Sequence, residues 1–276
     1  MEFPTLCTLL PEAGADRTLE TAIACARRFK SHLDVVCTAS PAINTADFGA
    51  GFGVGGAIIA DTIEETSARL RDTDAMARKR LSREDISWSS QALMAGGGGL
   101  AQTVKDACRF ADLAVLARPN GENFEVESLF DAILFGTALP ILLVDGPEVP
   151  EFNRITIAWD SSDQSLAAAR AALPLLRQAK VVTVLMVDPP ESPAGRFAPG
   201  ECLATFLSRH DIECDIDLLP RMKARIADVI KQHTSDTQSD LLVMGAYGHS
   251  KLREQLLGGV TRELVQNSGM PMFLAR

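Results

Sequence analysis

Short, uninterrupted apolar runs alternate along this chain with segments in which apolar residues recur at helical spacing. Runs of the first kind are typical of strands buried on both faces of a parallel sheet. They predict strands at 5–10, 33–38, 112–117 and 140–144, and again at 155–159, 181–187, 241–244 and 272–275. Alternation of apolar and polar residues predicts a further strand at 86–93, and another is predicted at 213–218. Helical spacing predicts helices at 16–29, 58–81, 100–111 and 129–137, and at 162–178, 196–210, 226–233 and 260–265. This alternation indicates an open, mainly parallel α/β sheet.

The order of these elements occurs twice. Residues 111–116 (ADLAVL) match 239–244 (SDLLVM), and residues 140–143 (PILL) match 271–274 (PMFL). Between the halves, the segment DGPEVPEFN has the prolines and glycine of a linker. A chain of 276 residues suits two domains of ordinary size. We therefore predict two tandem α/β domains, residues 1–146 and 152–276.

The stretch from Asp240 to Arg276 combines a strand, a glycine-rich loop and the start of a helix. Glycines stand at both ends of the loop with basic side chains between them, as Gly245, Gly248, His249, Lys251, Arg253, Gly258 and Gly259. Unpaired amide groups and a partial positive charge make a helix N-terminus a natural partner for phosphate, and glycines let the phosphate approach the backbone. Alternatively, these glycines only cap a helix and turn the chain.

The glycine spacing resembles the signature of a known family. Gly245, Gly248 and Gly258 reproduce the G-2x-G-9x-G pattern of universal stress proteins, and the flanking strands also look like that family. The chain departs from the pattern at Gly259, where the family usually has Ser or Thr, while Thr261 matches a second hydroxyl position. Its two similar halves resemble the tandem form. The resemblance implies two adenine nucleotide α-hydrolase-like, Rossmann-like domains packed as a pseudo-dimer.

The same resemblance implies a stress-response protein that binds ATP, AMP or ADP in its second domain, with Mg²⁺ beside the phosphates. It places the strand-one aspartate of nucleotide-binding members at Asp160. The other implied contacts are Ala158, Val187 and Met244 around the base, and Gly245, Gly248, Gly258, Gly259, Val260 and Thr261 around the ribose and phosphates. We expect the 249–257 loop to become ordered on binding. From the residues alone, Asp160 or Ser162 could instead be the N-cap of the next helix.

The first half lacks this pattern. Its first strand ends at Leu10, Pro11 and Glu12, its corresponding loop is RPNGEN, and Glu125 and Glu127 follow. Because carboxylates repel phosphate, we expect the first half to hold no nucleotide in the family's manner. Its expected role is to pair with the second half and stabilise it.

Composition narrows the partners and the compartment. A net charge of −9 and a pI near 5.0 argue against a general nucleic-acid or anionic-membrane binder. Six cysteines without a C-x-x-C pair indicate reduced thiols. The amino terminus lacks the basic region of a signal peptide, and no apolar run has the length of a membrane helix. These features predict a cytoplasmic protein.

Other motifs carry less weight. The G-x-G-x-x-G at Gly51, Gly53 and Gly56 follows a loop rather than a strand, which favours a flap or a helix start. The set Cys202, His210 and Cys214 fits no standard zinc spacing, and no nucleophile elbow or P-loop occurs. We therefore expect a regulatory protein with at most slow ATP hydrolysis. The alternatives are a nucleotide-free interaction protein and an enzyme of the wider adenine-nucleotide class. The sequence leaves open whether two chains also form a homodimer through the last strands of their sheets.

Overall fold

The structure, a computed structural model, describes residues 3–11, 15–41, 54–94, 99–189, 198, 200–246 and 259–276. Its internal contacts divide the chain into two compact units. Unit 1 contains Met1–Ala117 and Phe124–Thr137, and unit 2 contains Arg118–Asn123 and Ala138–Arg276. The predictions for Gly248, Gly258, the 249–257 loop, Glu12, Gly51 and Gly53 concern residues outside the described ranges.

Unit 1 is a four-stranded parallel sheet with helices packed against it. The strands are β1 (Thr5–Leu10), β2 (His32–Ala39), β3 (Trp88–Met94) and β4 (Leu113–Leu116), in the order β3-β2-β1-β4. The helices are α1 (Ala15–Phe29), α2 (Val54–Leu81), α3 (Leu100–Cys108) and α4 (Phe124–Gly136).

Unit 2 has a larger sheet in the order β5-β10-β9-β6-β7-β8. Its strands are β5 (Ile141–Leu143), β6 (Arg154–Ala158), β7 (Val181–Val187), β8 (Asp215–Leu219), β9 (Leu241–Gly245) and β10 (Met272–Ala275). Its helices are α5 (Asp163–Ala171), α6 (Leu173–Leu176), α7 (Glu201–Ser208), α8 (Ile226–Asp236) and α9 (Gly259–Asn267). The pairs from β10 to β8 are parallel, and β5 is antiparallel to β10. The predicted open, mainly parallel α/β fold is confirmed.

The buried pattern explains why these segments fold as they do. Every residue of β4 and β10 is buried, as expected of strands covered on both faces. Helix α1 buries Leu19, Ile23 and Ala26 on a single face, as its spacing predicts. The helix predicted over 162–178 is two helices, because Pro174 starts a new turn in α6.

One aspartate in each unit fastens the start of a central strand. In unit 2, the Asp240 carboxylate accepts hydrogen bonds from the backbone N–H groups of Asn153 (2.7 Å) and Arg154 (3.0 Å). In unit 1, Asp112 accepts from the N–H of Thr5 at 2.8 Å. These aspartates are the aligned residues of the two halves, so the sequence similarity corresponds to a repeated tertiary contact.

Two pieces of the first sequence half pack in unit 2. The sequence places β5 at the close of the first half, whereas the structure pairs Ile141, Leu142 and Leu143 with β10. Arg118 is nearly buried, with 9% of its side chain exposed, and forms an ion pair with Asp145 (2.7 Å). It also donates to the carbonyl oxygens of Val265 (2.8 Å) and Met270 (2.5 Å), which lie at the end of α9 and just beyond it.

All four thiols of unit 1 are shielded from solvent. Cys7, Cys25, Cys37 and Cys108 are buried free cysteines. Burial raises the pKa of Cys25 to about 12. It raises the pKa of Cys37 to about 12 as well, with a further contribution from Asp74. Cys25 and Cys37 therefore stay protonated at neutral pH, as inert packing residues do. Within the described ranges, no helix combines the length and apolarity needed to cross a bilayer.

Candidate functional site

The strand order of unit 2 reverses beside β6. The chain runs from β6 to β7 and β8 on one side and then returns to place β9 and β10 on the other. Ala158 at the end of β6 is the register partner of Leu185 in β7 and of Met244 in β9. In open parallel sheets, ligands bind outside the carboxyl ends of the strands at such a reversal. The predicted residues Ala158 and Met244 therefore flank the expected crevice.

Asp160 lies just beyond the end of β6 and is exposed. Its Oδ1 accepts hydrogen bonds from the Ser162 N–H (3.0 Å) and the Ser162 hydroxyl (2.6 Å), while Ser161 between them has a positive φ of 65°. Ser162 is the N-cap of α5, since its Oγ accepts from the Ser165 N–H at 3.1 Å. The cap interpretation thus applies to Ser162, and Asp160 is held in a fixed orientation before the helix begins.

Gly245 has a packing role at the end of β9. A β-carbon at this position would lie 2.4 Å from the backbone nitrogen of Ser165 and 2.6 Å from the carbonyl carbon of Gln164. The missing side chain lets the first turn of α5 rest against the strand end. The first glycine of the motif is therefore required by the fold, whether or not a ligand is bound.

The residues predicted around the phosphates are only partly described. Gly259 is exposed at the first position of α9, and a β-carbon there would meet no atom of the described residues within 4 Å. Val260 is half-buried, whereas Thr261 is only 5% exposed and lies on the inward face of α9 with Leu264 and Val265. The amino end of α9 is thus open at Gly259, and the side chain of Thr261 faces the core.

Val187 ends β7 and is half-buried, opposite Leu219 of β8. The chain then turns at Asp188, whose φ is 46° and whose carboxylate accepts from the Arg221 N–H at 2.9 Å. β6, β7 and β9 run parallel, so Val187 lies on the same sheet edge as Ala158 and Met244. The structure therefore brings the three residues that were predicted to surround the base to one edge of the sheet.

The equivalent crevice of unit 1 is filled. Leu6 pairs with Leu113 as Ile155 pairs with Leu241, so Pro11 takes the position of Asp160, and Leu9 and Leu116 take those of Ala158 and Met244. Helix α4 packs over these strand ends and leaves a cavity with a volume of only about 10 Å³. The walls of this cavity are apolar: Leu9, Pro11, Leu116, Ala117, Val126, Leu129 and Phe130.

Sequence reasoning missed a polar groove of about 410 Å³ between α8 and α9. It is lined by Arg225, Lys231, Gly259, Arg262, Glu263, Gln266 and Asn267. Nothing in the local sequence signals it, because its charged side chains come from two helices separated by a strand and a loop. Among the described residues, no group of three His, Cys, Asp or Glu side chains has the arrangement of a metal site.

A family model matches the last part of the chain. Residues 222–276 match the model described as the universal stress protein family. The predicted resemblance to universal stress proteins is confirmed. The match covers α8, β9, α9 and β10, the part of unit 2 that carries the glycine motif. No curated protein sequence gives a significant match.

Solved universal stress proteins share the fold over the whole chain. One from Archaeoglobus fulgidus DSM 4304 aligns with 100% of this chain and 97% of its own, at 13% identity and a TM-score of 0.66. A proposed universal stress protein from Pseudomonas aeruginosa UCBPP-PA14 aligns with 99% of this chain and 93% of its own, at 14% identity and a TM-score of 0.56. These identities show the fold alone. A shorter universal stress protein, solved in complex with cAMP, covers 46% of this chain at 18% identity and a TM-score of 0.35.

Proposed function

We propose that this protein binds an adenine nucleotide, such as ATP, AMP or ADP, at the carboxyl edge of the unit 2 sheet. The observation that carries the proposal is the reversal of strand order between β6 and β9, with Asp160 fixed directly beyond it. Ligand crevices of open α/β sheets form at this position. The glycine motif that follows β9 supplies the phosphate end of the same crevice.

The described residues suit the parts of such a ligand. The carboxylate of Asp160 can accept a hydrogen bond from a ribose hydroxyl or an adenine amino group. Ala158 and Val187 offer half-buried apolar surface beside the base, and Met244 closes the floor. The open amino end of α9 at Gly259 suits a phosphate, which Mg²⁺ would accompany.

The proposed output is regulatory. Backbone amides and glycines that would hold the phosphates have no side chain that could deprotonate a water, so hydrolysis would be slow. Binding in unit 2 alone is proposed, because α4 fills the matching crevice of unit 1 and Pro11 there offers no acceptor.

The decisive experiment measures the nucleotide released when freshly purified protein is denatured. One adenine nucleotide per chain supports a single site in unit 2, and Asp160→Ala should then empty it. Asp163→Ala is the matched control, because this exposed carboxylate lies in the first turn of α5 beyond the cap. Two nucleotides per chain would contradict the assignment to unit 2 alone. Equal occupancy of the two alanine variants would contradict the role of Asp160.

Gly259 favours one alternative, a stress-related interaction protein that holds no nucleotide. At that position the family pattern has a hydroxyl side chain, and this chain has none. Protein that releases no nucleotide and takes up none from millimolar ATP with Mg²⁺ would support this alternative over nucleotide binding.

A further inference from the structure

The groove between α8 and α9 begins beside the amino end of α9. Gly259 is the first residue of α9, and Glu263 stands one helical turn further along. Arg225 directly precedes α8 as its N-cap residue. Helix α8 follows β8 and leads to β9, which runs parallel to β6 and β7, so the start of α8 lies on the carboxyl edge of the sheet. Two helix starts therefore meet at the mouth of the groove.

Cations dominate the groove in an otherwise acidic protein. Arg225, Lys231 and Arg262 line it, against the carboxylates of Glu263 and neighbouring Asp228. The Arg225 guanidinium reaches both acids, with Nε 3.0 Å from Asp228 Oδ2 and Nη2 2.9 Å from Glu263 Oε1. Lys231 Nζ lies 3.6 Å from an oxygen of each. The hydrogen bond from Arg225 lowers the pKa of Asp228, so this acid stays charged at neutral pH.

These contacts leave the cations available to a stronger anion. The side chain of Arg225 is 69% exposed, so its pairs with the acids are solvent-screened and weak. A phosphate group offers several charged oxygens to the planar fork of an arginine and can be bound through two parallel hydrogen bonds. Two competing acceptors are already in place: Asp228, which accepts two hydrogen bonds from Arg225, and Glu263, with 19% of its side chain exposed.

We propose that this groove receives the outer phosphates of the bound nucleotide, so that the site selects a polyphosphate chain over a monophosphate. The inference rests on the proposed nucleotide site and names its ligand class. The innermost phosphate meets the amino end of α9 at Gly259. The outer phosphates extend toward Arg225 and Arg262, and Arg225 exchanges Glu263 for the ligand.

Titration calorimetry with ATP, ADP and AMP at fixed Mg²⁺ and ionic strength tests this on the whole chain. Wild-type protein should bind ATP at least about tenfold tighter than AMP. Arg225→Gln should weaken ATP binding by about tenfold and leave AMP binding within about twofold. Arg209→Gln, an exposed arginine at the end of α7 outside the groove, is the matched control and should change neither.

A second variant reverses the sign of the effect. Glu263→Gln removes the charge of one of the two carboxylates that pair with Arg225, so ATP should bind tighter while AMP is unaffected. Thermal unfolding without ligand identifies any variant that has lost its fold. The comparison of ATP and AMP affinities of the wild-type protein tests the inference even if a variant does not fold. Equal affinities for ATP and AMP, or a parallel loss of both in Arg225→Gln, would overturn the inference. Absence of binding by all three nucleotides would instead refute the nucleotide site itself.

Discussion

The α-carbon of Gly245 lies so close to the main chain of Ser165 that a β-carbon at position 245 would sit 2.4 Å from the Ser165 nitrogen. Because backbone atoms cannot move aside as a flexible side chain can, Gly245→Ala should separate α5 from β9. We expect a loss of about 1–3 kcal/mol in the free energy of unfolding, as for other overpacked sites. Chemical denaturation monitored by circular dichroism measures it.

The control for this prediction is Gly259→Ala, at the glycine directly after the third glycine of the same motif. A β-carbon there meets no atom of the part of the chain that the structure describes within 4 Å, so the substitution should be neutral or stabilise by up to about 1 kcal/mol. Equal stability of the two alanine variants would show that the close approach at Gly245 is relaxed in solution.

Gly259→Ser should increase nucleotide affinity. The open space at the start of α9 accommodates the side chain, and its hydroxyl would donate to a phosphate oxygen. A hydrogen bond to a charged group contributes about 1.5 kcal/mol, or roughly tenfold in affinity. Calorimetric titration of Gly259→Ser against Gly259→Ala separates the hydroxyl from the change in helix propensity. If serine binds no better than alanine, position 259 does not face the phosphates.

Asp240→Asn should destabilise unit 2, because an amide replaces one acceptor oxygen with a donor that faces a backbone N–H. Asp240 receives the N–H groups of both Asn153 and Arg154, so we expect a loss of about 1–3 kcal/mol. Asp236→Asn, at the exposed end of α8, is the control and should change stability by less than about 0.5 kcal/mol. Hydrogen exchange at the amides of 153 and 154 gives the local readout, and unchanged protection there would contradict the strand-clamp role.

The ion-pair cluster between α1 and α2 should make unit 1 sensitive to acid. Arg80 binds both Glu20 and Glu84, and Arg27 also binds Glu84. The hydrogen bond from Arg80 lowers the pKa of Glu84. A lowered folded-state pKa stabilises the fold above the unfolded value of about 4.3, and this contribution is lost as the pH falls through the lower value.

Arg80→Met should therefore cost about 1 kcal/mol at pH 7, since the cluster is partly exposed. The difference from wild type should hold down to about pH 4.3 and narrow below it. Urea denaturation across this range measures it, with the exposed Arg83→Met as control. A difference that is the same at pH 3 and pH 7 would mean that the lost side chain acts through packing rather than charge.

The sequence predicts the fold well where the signal is local. The run LLVM at 241–244 and the spacing of Leu19 and Ile23 specify a buried strand and an amphipathic helix without reference to distant residues. The pairing partner of a short strand cannot be predicted in this way. Three apolar residues such as Ile141–Leu143 carry no information about which strand they pair with. The antiparallel pairing of β5 with β10 therefore had to come from the structure.

The candidate site likewise has some features that can be recognised in the sequence and others that only the structure reveals. The strand end at Asp160 and the glycine motif are each one continuous stretch of sequence, so both can be recognised from the sequence alone. The packing of Gly245 against Ser165 and the pairing of Arg225 with Glu263 join segments that meet only after folding. Sequence patterns can therefore suggest a nucleotide, and only the assembled helices suggest which phosphates are preferred.

The placement of β5 and Arg118 in unit 2 bears on how such a chain could be divided. Cleavage between 145 and 153, where the sequence shows its clearest linker, would remove the strand that covers the edge of β10 and the arginine that holds the end of α9. A fragment beginning at residue 152 would expose an apolar strand edge, which pairs readily with a second chain. The two sequence halves are therefore not structurally independent. A gene split at the linker would yield a C-terminal product prone to self-association.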